Sequence, residues 1–129
     1  MHHLNKNINQ TNICSNRLEL LSNALNVIEL GISIMDADGI FIETNDAYCK
    51  NYGYEKHELL GKSFLMLEDP NDHEKLLKEH YEFMEKEYSF FGEKPIIQKS
   101  GKMTNILVKM AKITDSTGKK YKITYITGT

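Results

Sequence analysis

Apolar residues recur every three or four positions near the start of the chain. After a polar segment of residues 1–14, which we expect to be flexible, residues 15–30 combine polar capping residues with good helix formers. They predict an amphipathic helix with apolar residues spaced three, four and three apart. This main stripe consists of Leu18, Leu21, Leu25 and Ile28. A second stripe lies beside it, so the helix should contact two surfaces, either both within its own domain or one on a partner chain.

The period of the apolar pattern changes to two at Gly31. The strings GISIMD and IFIETN predict two short strands joined by a tight turn at Asp38 and Gly39, because Asp-Gly supplies the positive φ angles of a hairpin turn. Residues 46–60 predict two short helices interrupted at Gly53. Asp72 is then placed to cap a longer helix over HEKLLKEHYEFMEKE.

The last forty residues predict three strands in meander order, at about 90–98, 104–113 and 121–127. Both faces of the middle strand carry apolar residues, whereas a sheet with one wet face alternates more cleanly. The outer face therefore needs a cover, which the N-terminal helix can supply. We expect an α+β fold in which residues 31–129 form a five-stranded antiparallel sheet, with short helices on one face and the N-terminal amphipathic helix capping the other.

Composition narrows the possible functions. The 129 residues suit one domain, and 16 basic against 18 acidic side chains give a net charge of −2 with no run of like charge, which argues against a nucleic-acid partner. No apolar run approaches the roughly 20 residues of a membrane-spanning helix, so membrane contact is not expected. The two cysteines, Cys14 and Cys49, form no disulfide framework, and a secretory signal is not apparent, so the pattern favours the cytoplasm.

The string GISIMDADGIFIETNDAYCKNYGYEKHELLGKSF resembles the first half of a PAS domain. The family pattern runs as a strand ending in Asp, a Gly turn, an Asn, a small helix, Gly-Tyr, Glu-Leu and Gly-Lys. The matching positions are Asp36, Gly39, Asn45, Ala47, Gly53, Tyr54, Glu58, Leu59 or Leu60, Gly61 and Lys62. Residues 99–102 are similar to the family's Lys-Asp-Gly hairpin, with Ser100 in place of Asp, and residues 115–119 to its last turn. The resemblance covers residues 22–128.

This resemblance implies a signal-sensing and dimerising module of a larger regulator of bacterial type, such as a histidine kinase, a cyclic-dinucleotide enzyme or a transcription regulator. The partners it implies are a second copy, bound through the N-terminal helix, and an output domain in the full-length protein. The alternative is a ligand-free domain that serves only protein–protein interaction. What such a module senses depends on its pocket, because the fold alone does not fix the function.

The sequence lacks the residues that bind the known PAS cofactors at the expected positions. The reactive Cys of blue-light sensors of the LOV type falls on Phe64, which excludes a covalent flavin adduct at that site. FAD is not expected, because PAS domains that bind it usually place a Trp beside the flavin and this chain has none. Haem is not expected either: the family's axial His lies about seven residues after a Pro, which here is Leu77, and His73 and His80 are both out of register.

A catalytic or metal site has no visible motif. The second His of a His-Glu-x-x-His zinc motif would fall on Leu77, and no nucleophile elbow, P-loop or dinucleotide Gly motif is present. Asp36 and Asp38 flank a turn, where local hydrogen bonding accounts for both carboxylates. We therefore expect neither an enzyme nor a metal-binding protein.

An interior chamber between the sheet and the short helices is the remaining candidate site. It is either filled by core side chains or occupied by an unidentified small organic ligand. The candidate lining residues are Ile34, Asn45, Tyr48, Tyr52, Phe64, Met66, His80, Met84, Phe90, Ile97, Met110 and Tyr125. Apolar walls with one His, one Asn and a few phenols would suit a modest molecule with one or two polar groups.

Overall fold

Five antiparallel strands form one sheet in the computed structural model, which describes residues 16–128. The strands are β1 (Gly31–Met35), β2 (Phe41–Thr44), β3 (Phe90–Ile97), β4 (Met103–Thr114) and β5 (Lys120–Gly128). Their order across the sheet is β2-β1-β5-β4-β3, and every neighbouring pair is antiparallel. This confirms the predicted sheet, including the meander of its last three strands.

Short helices connect the first two strands to the last three. They are α2 (Asp46–Tyr52), α3 (Lys56–Leu59), two 3₁₀ turns (Phe64–Leu67 and Pro70–Asp72) and α4 (His73–Glu85). A further helix, α1, precedes the sheet and spans residues 16–27 in the described part of the chain. The predicted flexible segment 1–14 and the first residue of the predicted helix, Ser15, lie outside the described residues.

The turn between β1 and β2 forms as predicted. The Asp36 carboxylate accepts hydrogen bonds from the backbone N–H groups of Asp38 at 2.9 Å and Ile40 at 3.0 Å. Gly39 adopts φ 81°, the left-handed region that favours glycine. A Cβ atom there would also lie only 2.5 Å from the ring of Phe64, so the turn packs directly on the first 3₁₀ turn.

The start of α4 differs from the prediction. The side chain of Asp72 makes no capping hydrogen bond, and its backbone is already in the helical region. The Asp69 carboxylate is the cap instead, accepting from the backbone N–H of Asn71 at 2.9 Å at the start of the second 3₁₀ turn. That turn runs directly into α4 and satisfies the N–H of His73 through the carbonyl of Pro70, so a side-chain cap at Asp72 is not needed.

The inner face of the sheet packs on the short helices to form the core. Phe41, Tyr48 and Leu59 are at most 2% exposed, and Ile106 and Val108 of β4 bury against the same cluster. On β1 and β5, however, three of the six buried positions are polar. The inner positions there include Ser33, Lys122 and Thr124, all buried.

The outer face of the sheet is apolar and only half buried. Ile34 lies opposite Ile123, and Ile32 lies opposite Tyr125, in the β1–β5 pairing. The structure differs from the expectation that α1 covers this face. Of the α1 side chains only Leu25 is half buried, and Leu21 is 61% exposed. In the single chain, α1 therefore leaves its main stripe unburied.

Candidate functional site

A cavity of about 400 Å³ lies between the inner face of the sheet and helix α4. Strands β1, β3, β4 and β5 contribute one side, and α2, the first 3₁₀ turn and α4 contribute the other. The apolar part of its wall includes Tyr48, Phe64, Phe83, Val108 and Met110. Its volume lies within the range of about 300–1,000 Å³ that small-molecule sites in proteins occupy.

Half of the twelve predicted lining residues lie in the wall of this cavity. They are Tyr48, Tyr52, Phe64, His80, Phe90 and Met110. The rings of Tyr48 and Tyr52 lie 4.9 Å apart, and burial raises the pKa of both phenols above the ordinary value of 10.0. Both hydroxyl groups are therefore neutral hydrogen-bond donors at physiological pH.

The structure places five other predicted residues away from the cavity. Ile34 and Tyr125 point to the outer face, because Ser33, Met35 and Thr124 take the alternating inner positions. Sequence reasoning placed the apolar side chains of these strands inside, and here that assumption is wrong. Met66 is 38% exposed on the first 3₁₀ turn.

The other two misplaced residues are Ile97 and Met84. Ile97 is half buried and next to Ile96, which takes the core position of β3. Met84 is 7% exposed but does not line the cavity. In each case the neighbouring residue faces the interior. Ile96 is a core residue, and Phe83 is part of the cavity wall.

Asn45, the twelfth candidate, binds backbone rather than lining the cavity. Its Oδ1 accepts from the N–H groups of Ile32 at 2.8 Å and Tyr48 at 3.0 Å. Its Nδ2 donates to the carbonyls of Leu25 at 3.0 Å and Leu30 at 2.7 Å. One buried amide thus joins α1, β1 and the start of α2.

His80 presents an unmatched acceptor in the cavity wall. Its Nε2 lies 2.9 Å from the carbonyl of Ala37, and because a carbonyl only accepts, Nε2 carries the hydrogen. Nδ1 is then an acceptor, and it is buried with no hydrogen-bond partner among the described residues. Burial lowers the pKa of His80, and the positive charge of Lys122 acts in the same direction.

Among the wall residues that sequence reasoning missed is a buried cation, Lys122. It lies on the inner face of β5, is 6% exposed and lines the cavity. Its Nζ lies 5.1 Å from the ring centre of Phe64 and 5.9 Å from that of Phe83. Burial lowers its pKa to about 8, to which nearby Lys94 contributes. A signal in the sequence could have found it. Lys122 and Thr124 are spaced by two residues from each other and from Ile126, a core residue of the same strand, so all three point to the same face.

The remaining charges around the cavity are paired or exposed. Lys94 donates to the Glu68 carboxylate at 2.7 Å, and both residues belong to the wall. Three further carboxylates at the wall are exposed, namely those of Glu79, Glu82 and Glu93. The site thus combines apolar walls, one buried cation, neutral phenols and an acidic margin. A site of this composition can bind a small polar molecule.

Comparison with known proteins identifies the family. A family model described as the PAS fold matches residues 19–124, which is most of the chain. The chain belongs to the PAS family. Among curated proteins, none matches this sequence significantly. PAS domains are sensory modules of signalling proteins.

Several solved PAS domains have the same fold. The PAS domain of a protein from Colwellia psychrerythraea is 22% identical with a TM-score of 0.73, over 87% of this chain and 96% of that one. The PAS domain of an HTR-like protein from Haloarcula marismortui is 19% identical with a TM-score of 0.76, over 94% and 98%. A PAS domain from a two-component sensor histidine kinase is 14% identical with a TM-score of 0.72, over 90% and 99%.

The predicted dimer stripe of this PAS domain is accessible on α1 and just beyond it. Leu18 is 70% exposed, Leu21 is 61% exposed and Ile28 is 39% exposed, while Leu25 is half buried. Dimerisation through these residues stays a prediction. Leu25 is also the residue whose carbonyl accepts from Asn45, so the stripe is connected to the rest of the PAS domain at this position.

Two other features bear on cofactors and location. Phe64, at the position of the LOV cysteine, packs on His80 with ring centres 5.2 Å apart, and Cys49 is buried beside Thr44 outside the cavity wall. Within residues 16–128, no three or more His, Cys, Asp and Glu side chains cluster as a metal site would require. The helices that the structure describes include none with the length and apolar content to cross a membrane.

Proposed function

We propose that this PAS domain is a signal-sensing module that binds a small organic molecule in the cavity beneath α4 and dimerises through α1. In the full-length protein it would act on an output domain of a bacterial-type regulator, in the cytoplasm and without catalysing a reaction itself. The observation that carries the proposal is the cavity of about 400 Å³, whose wall includes the buried polar residues His80, Lys122 and Thr124.

The buried polar groups in the cavity wall favour an occupied cavity over a filled core. A core filled only by its own side chains would satisfy its buried hydrogen-bonding groups within the chain, because each unmatched buried group costs about 1–3 kcal/mol. Here His80 Nδ1 and Thr124 Oγ1 are buried without partners among the described residues, and both belong to residues that line the cavity. A ligand that matches them would remove this cost.

A continuous set of contacts leads from the cavity to α1. Tyr48 lines the cavity, and its backbone N–H donates to Asn45. Asn45 in turn donates to the carbonyl of Leu25 on α1. We propose that ligand binding changes the position of α2 and thereby the arrangement of α1 in the dimer. A ligand can do this only if it binds one arrangement more tightly than the other.

The test is to identify what the purified protein carries. Protein unfolded in denaturant should release a small molecule that mass spectrometry detects, and the visible absorption spectrum of the native protein would reveal a flavin or haem. The variant Leu76→Trp places a large ring in the cavity wall, so it should lose the bound molecule. Lys78→Trp, on the exposed side of the same helix, should keep it.

Two outcomes would contradict ligand binding. One is that the protein releases nothing and no small molecule raises its thermal stability. The other is that the Leu76→Trp variant, still folded by circular dichroism, keeps the molecule as fully as Lys78→Trp. Either result would favour the alternative of a ligand-free interaction domain, in which the exposed stripe of α1 is the functional surface.

A further inference from the structure

Two lysines lie opposite each other on neighbouring strands but have different surroundings. Lys112 of β4 pairs in register with Lys122 of β5. The Lys112 ammonium donates to the carbonyls of Phe83 at 2.9 Å and Tyr88 at 2.6 Å. Phe83 lies in the last turn of α4, and Tyr88 lies in the segment between α4 and β3. The Lys122 ammonium makes no hydrogen bond or ion pair with any residue from 16 to 128. Among the described residues, Lys112 has structural partners and Lys122 has none.

An unpaired buried lysine is costly to the fold. Transfer of an ammonium group from water to a protein interior is unfavourable unless an opposite charge or hydrogen-bond acceptors compensate. The aromatic rings of Phe64 and Phe83 compensate only in part, because the ammonium lies 5.1 Å and 5.9 Å from their centres. A charged group that destabilises a fold and faces a cavity is typical of a binding site.

Two other residues of the same cavity wall have buried polar atoms without partners. Thr124 lies two residues after Lys122 on the inner face of β5, is 5% exposed, and its hydroxyl has no partner among the described residues. His80 is 3% exposed, and its Nδ1 is an acceptor without a donor. Together the three residues offer a cation, a hydroxyl and an acceptor to a bound molecule.

We propose that Lys122 binds the carboxylate of a small organic monocarboxylic acid, with Thr124 as a second donor to the carboxylate and His80 as acceptor from a hydroxyl group of the ligand. The inference rests on the proposed function, since it names the chemical class of the molecule that the cavity binds. The body of the ligand would contact the apolar wall, including Phe64, Val108 and Met110.

The charge distribution favours a single negative charge. The other lysine of the wall, Lys94, is paired with Glu68 at 2.7 Å, so Lys122 is the one cation in the described wall without a carboxylate partner. The exposed carboxylates of Glu79, Glu82 and Glu93 also line the cavity and would repel a polyanion. A carboxylate matches this pattern better than a phosphate, which carries nearly two charges near neutral pH.

Binding of matched acid and amide pairs tests the proposal. Isothermal titration would compare butyrate, hexanoate, phenylacetate and mandelate with their primary amides, using protein freed of any bound molecule by unfolding and refolding. At least one acid should bind about tenfold or more tightly than its amide, because only the acid forms a charge-assisted hydrogen bond with Lys122. Mandelate should bind more tightly than phenylacetate, because mandelate has an additional hydroxyl group that donates to His80.

Two variants separate Lys122 from general charge effects. Lys122→Met should reduce the affinity for the best acid to that for its amide, with little change for the amide. Lys120→Met removes the same charge from an exposed position of β5 and should leave both affinities unchanged. Because Lys122→Met relieves a buried charge, the variant should fold, so a loss of acid binding would not reflect unfolding.

Each remaining result would overturn the proposal in a different way. Equal binding of acids and amides, or full acid binding by Lys122→Met, would show that the cavity binds ligands but that Lys122 does not select a carboxylate. A co-purified molecule without a carboxylate would lead to the same conclusion about Lys122. No binding in the whole series, together with no co-purified molecule, would contradict ligand binding itself and with it the proposed function.

Discussion

The side-chain amide of Asn45 donates a hydrogen bond to the main-chain carbonyl of Leu25, twenty residues earlier, at 3.0 Å. This bond connects the start of α2, which contributes to the cavity wall, to the last turns of α1, which carry the predicted dimer stripe. The same amide nitrogen also reaches the carbonyl of Leu30 in the segment that enters β1. A second, exposed hydrogen bond joins the same two helices, because Oδ1 of Asn26 accepts from the backbone N–H of Asp46 at 3.4 Å. Asn45 is the buried part of the connection between α1 and the rest of the domain.

Replacement of Asn45 should both destabilise the domain and release α1. Asn45→Ala removes four hydrogen bonds and should lower the free energy of unfolding by about 2–4 kcal/mol, as measured by urea titration. Asn45→Asp keeps the shape but points a carboxylate oxygen at the two carbonyls that Nδ2 contacts. It should be at least as harmful, and amide exchange in residues 16–27 should become faster in both variants.

The control for Asn45 is Asn23→Ala, at an exposed position of α1. It should change the free energy of unfolding by less than about 0.5 kcal/mol. If Asn45→Ala matched this control in both stability and amide exchange, Asn45 would not be the residue that holds α1.

Lys122→Met should stabilise the ligand-free protein. The folded-state pKa of about 8 lies below the ordinary value of 10.5, so the unfolded chain binds the proton more readily. The free energy of unfolding of the wild-type protein therefore decreases as the pH falls from about 10.5 to 8, and the full decrease is reached below pH 8. At pH 7 the variant should gain up to about 3 kcal/mol in free energy of unfolding, since each pKa unit corresponds to about 1.4 kcal/mol.

The pH profile is the decisive part of this measurement. The advantage of Lys122→Met over wild type should shrink above pH 8 and be nearly gone near pH 10.5, where the lysine is neutral in the folded protein and about half neutral in the unfolded chain. Lys120→Met, which removes an exposed charge, should show no such profile. A constant difference across this range would mean that packing rather than charge explains any gain.

Gly39→Ala should be more harmful than the same change at another left-handed glycine. Gly39 has φ 81° and its added Cβ would lie 2.5 Å from the ring of Phe64, whereas Gly118 has φ 88° and no atom within 4 Å. Gly118→Ala should cost about 1–2 kcal/mol from backbone strain alone. Gly39→Ala should cost about 1–3 kcal/mol more, because the Phe64 ring must also move.

Thermal and urea unfolding of the two glycine variants would check this difference. Since Phe64 lines the cavity, Gly39→Ala should also weaken binding of any ligand, while Gly118→Ala should not. Equal destabilisation by the two substitutions would show that the ring yields without cost.

Leu21→Glu should reduce dimer formation in analytical ultracentrifugation. Leu21 is 61% exposed in the single chain, so a glutamate there is tolerated by the fold but would place a charge in an apolar dimer contact. Asn23→Glu adds the same charge on the other side of α1 and should leave the mass unchanged. A folded Leu21→Glu protein with the dimer population of wild type would exclude this stripe as the interface.

The order of the elements followed from local chemistry that a sequence displays directly. Period-two apolar patterns marked the strands, and glycines at positive φ, such as Gly39 and Gly53, marked the turns between elements. These signals act over a few residues, so tertiary contacts were not needed to interpret them. The PAS resemblance of residues 22–128 rested on the same local positions.

Which side of each strand faces the cavity was decided by the tertiary structure. Hydropathy alone assigns Ile34 and Tyr125 to the interior and gives no reason to place a lysine there, yet Ser33, Lys122 and Thr124 point inward. At these positions of β1 and β5, polar side chains are buried on the inner face while apolar side chains lie on the outer face, which reverses the usual relation between hydropathy and burial. Only the pairing of β1 with β5 and the packing of α4 bring Lys122 and His80 into one wall, because these contacts join residues that are far apart in the chain.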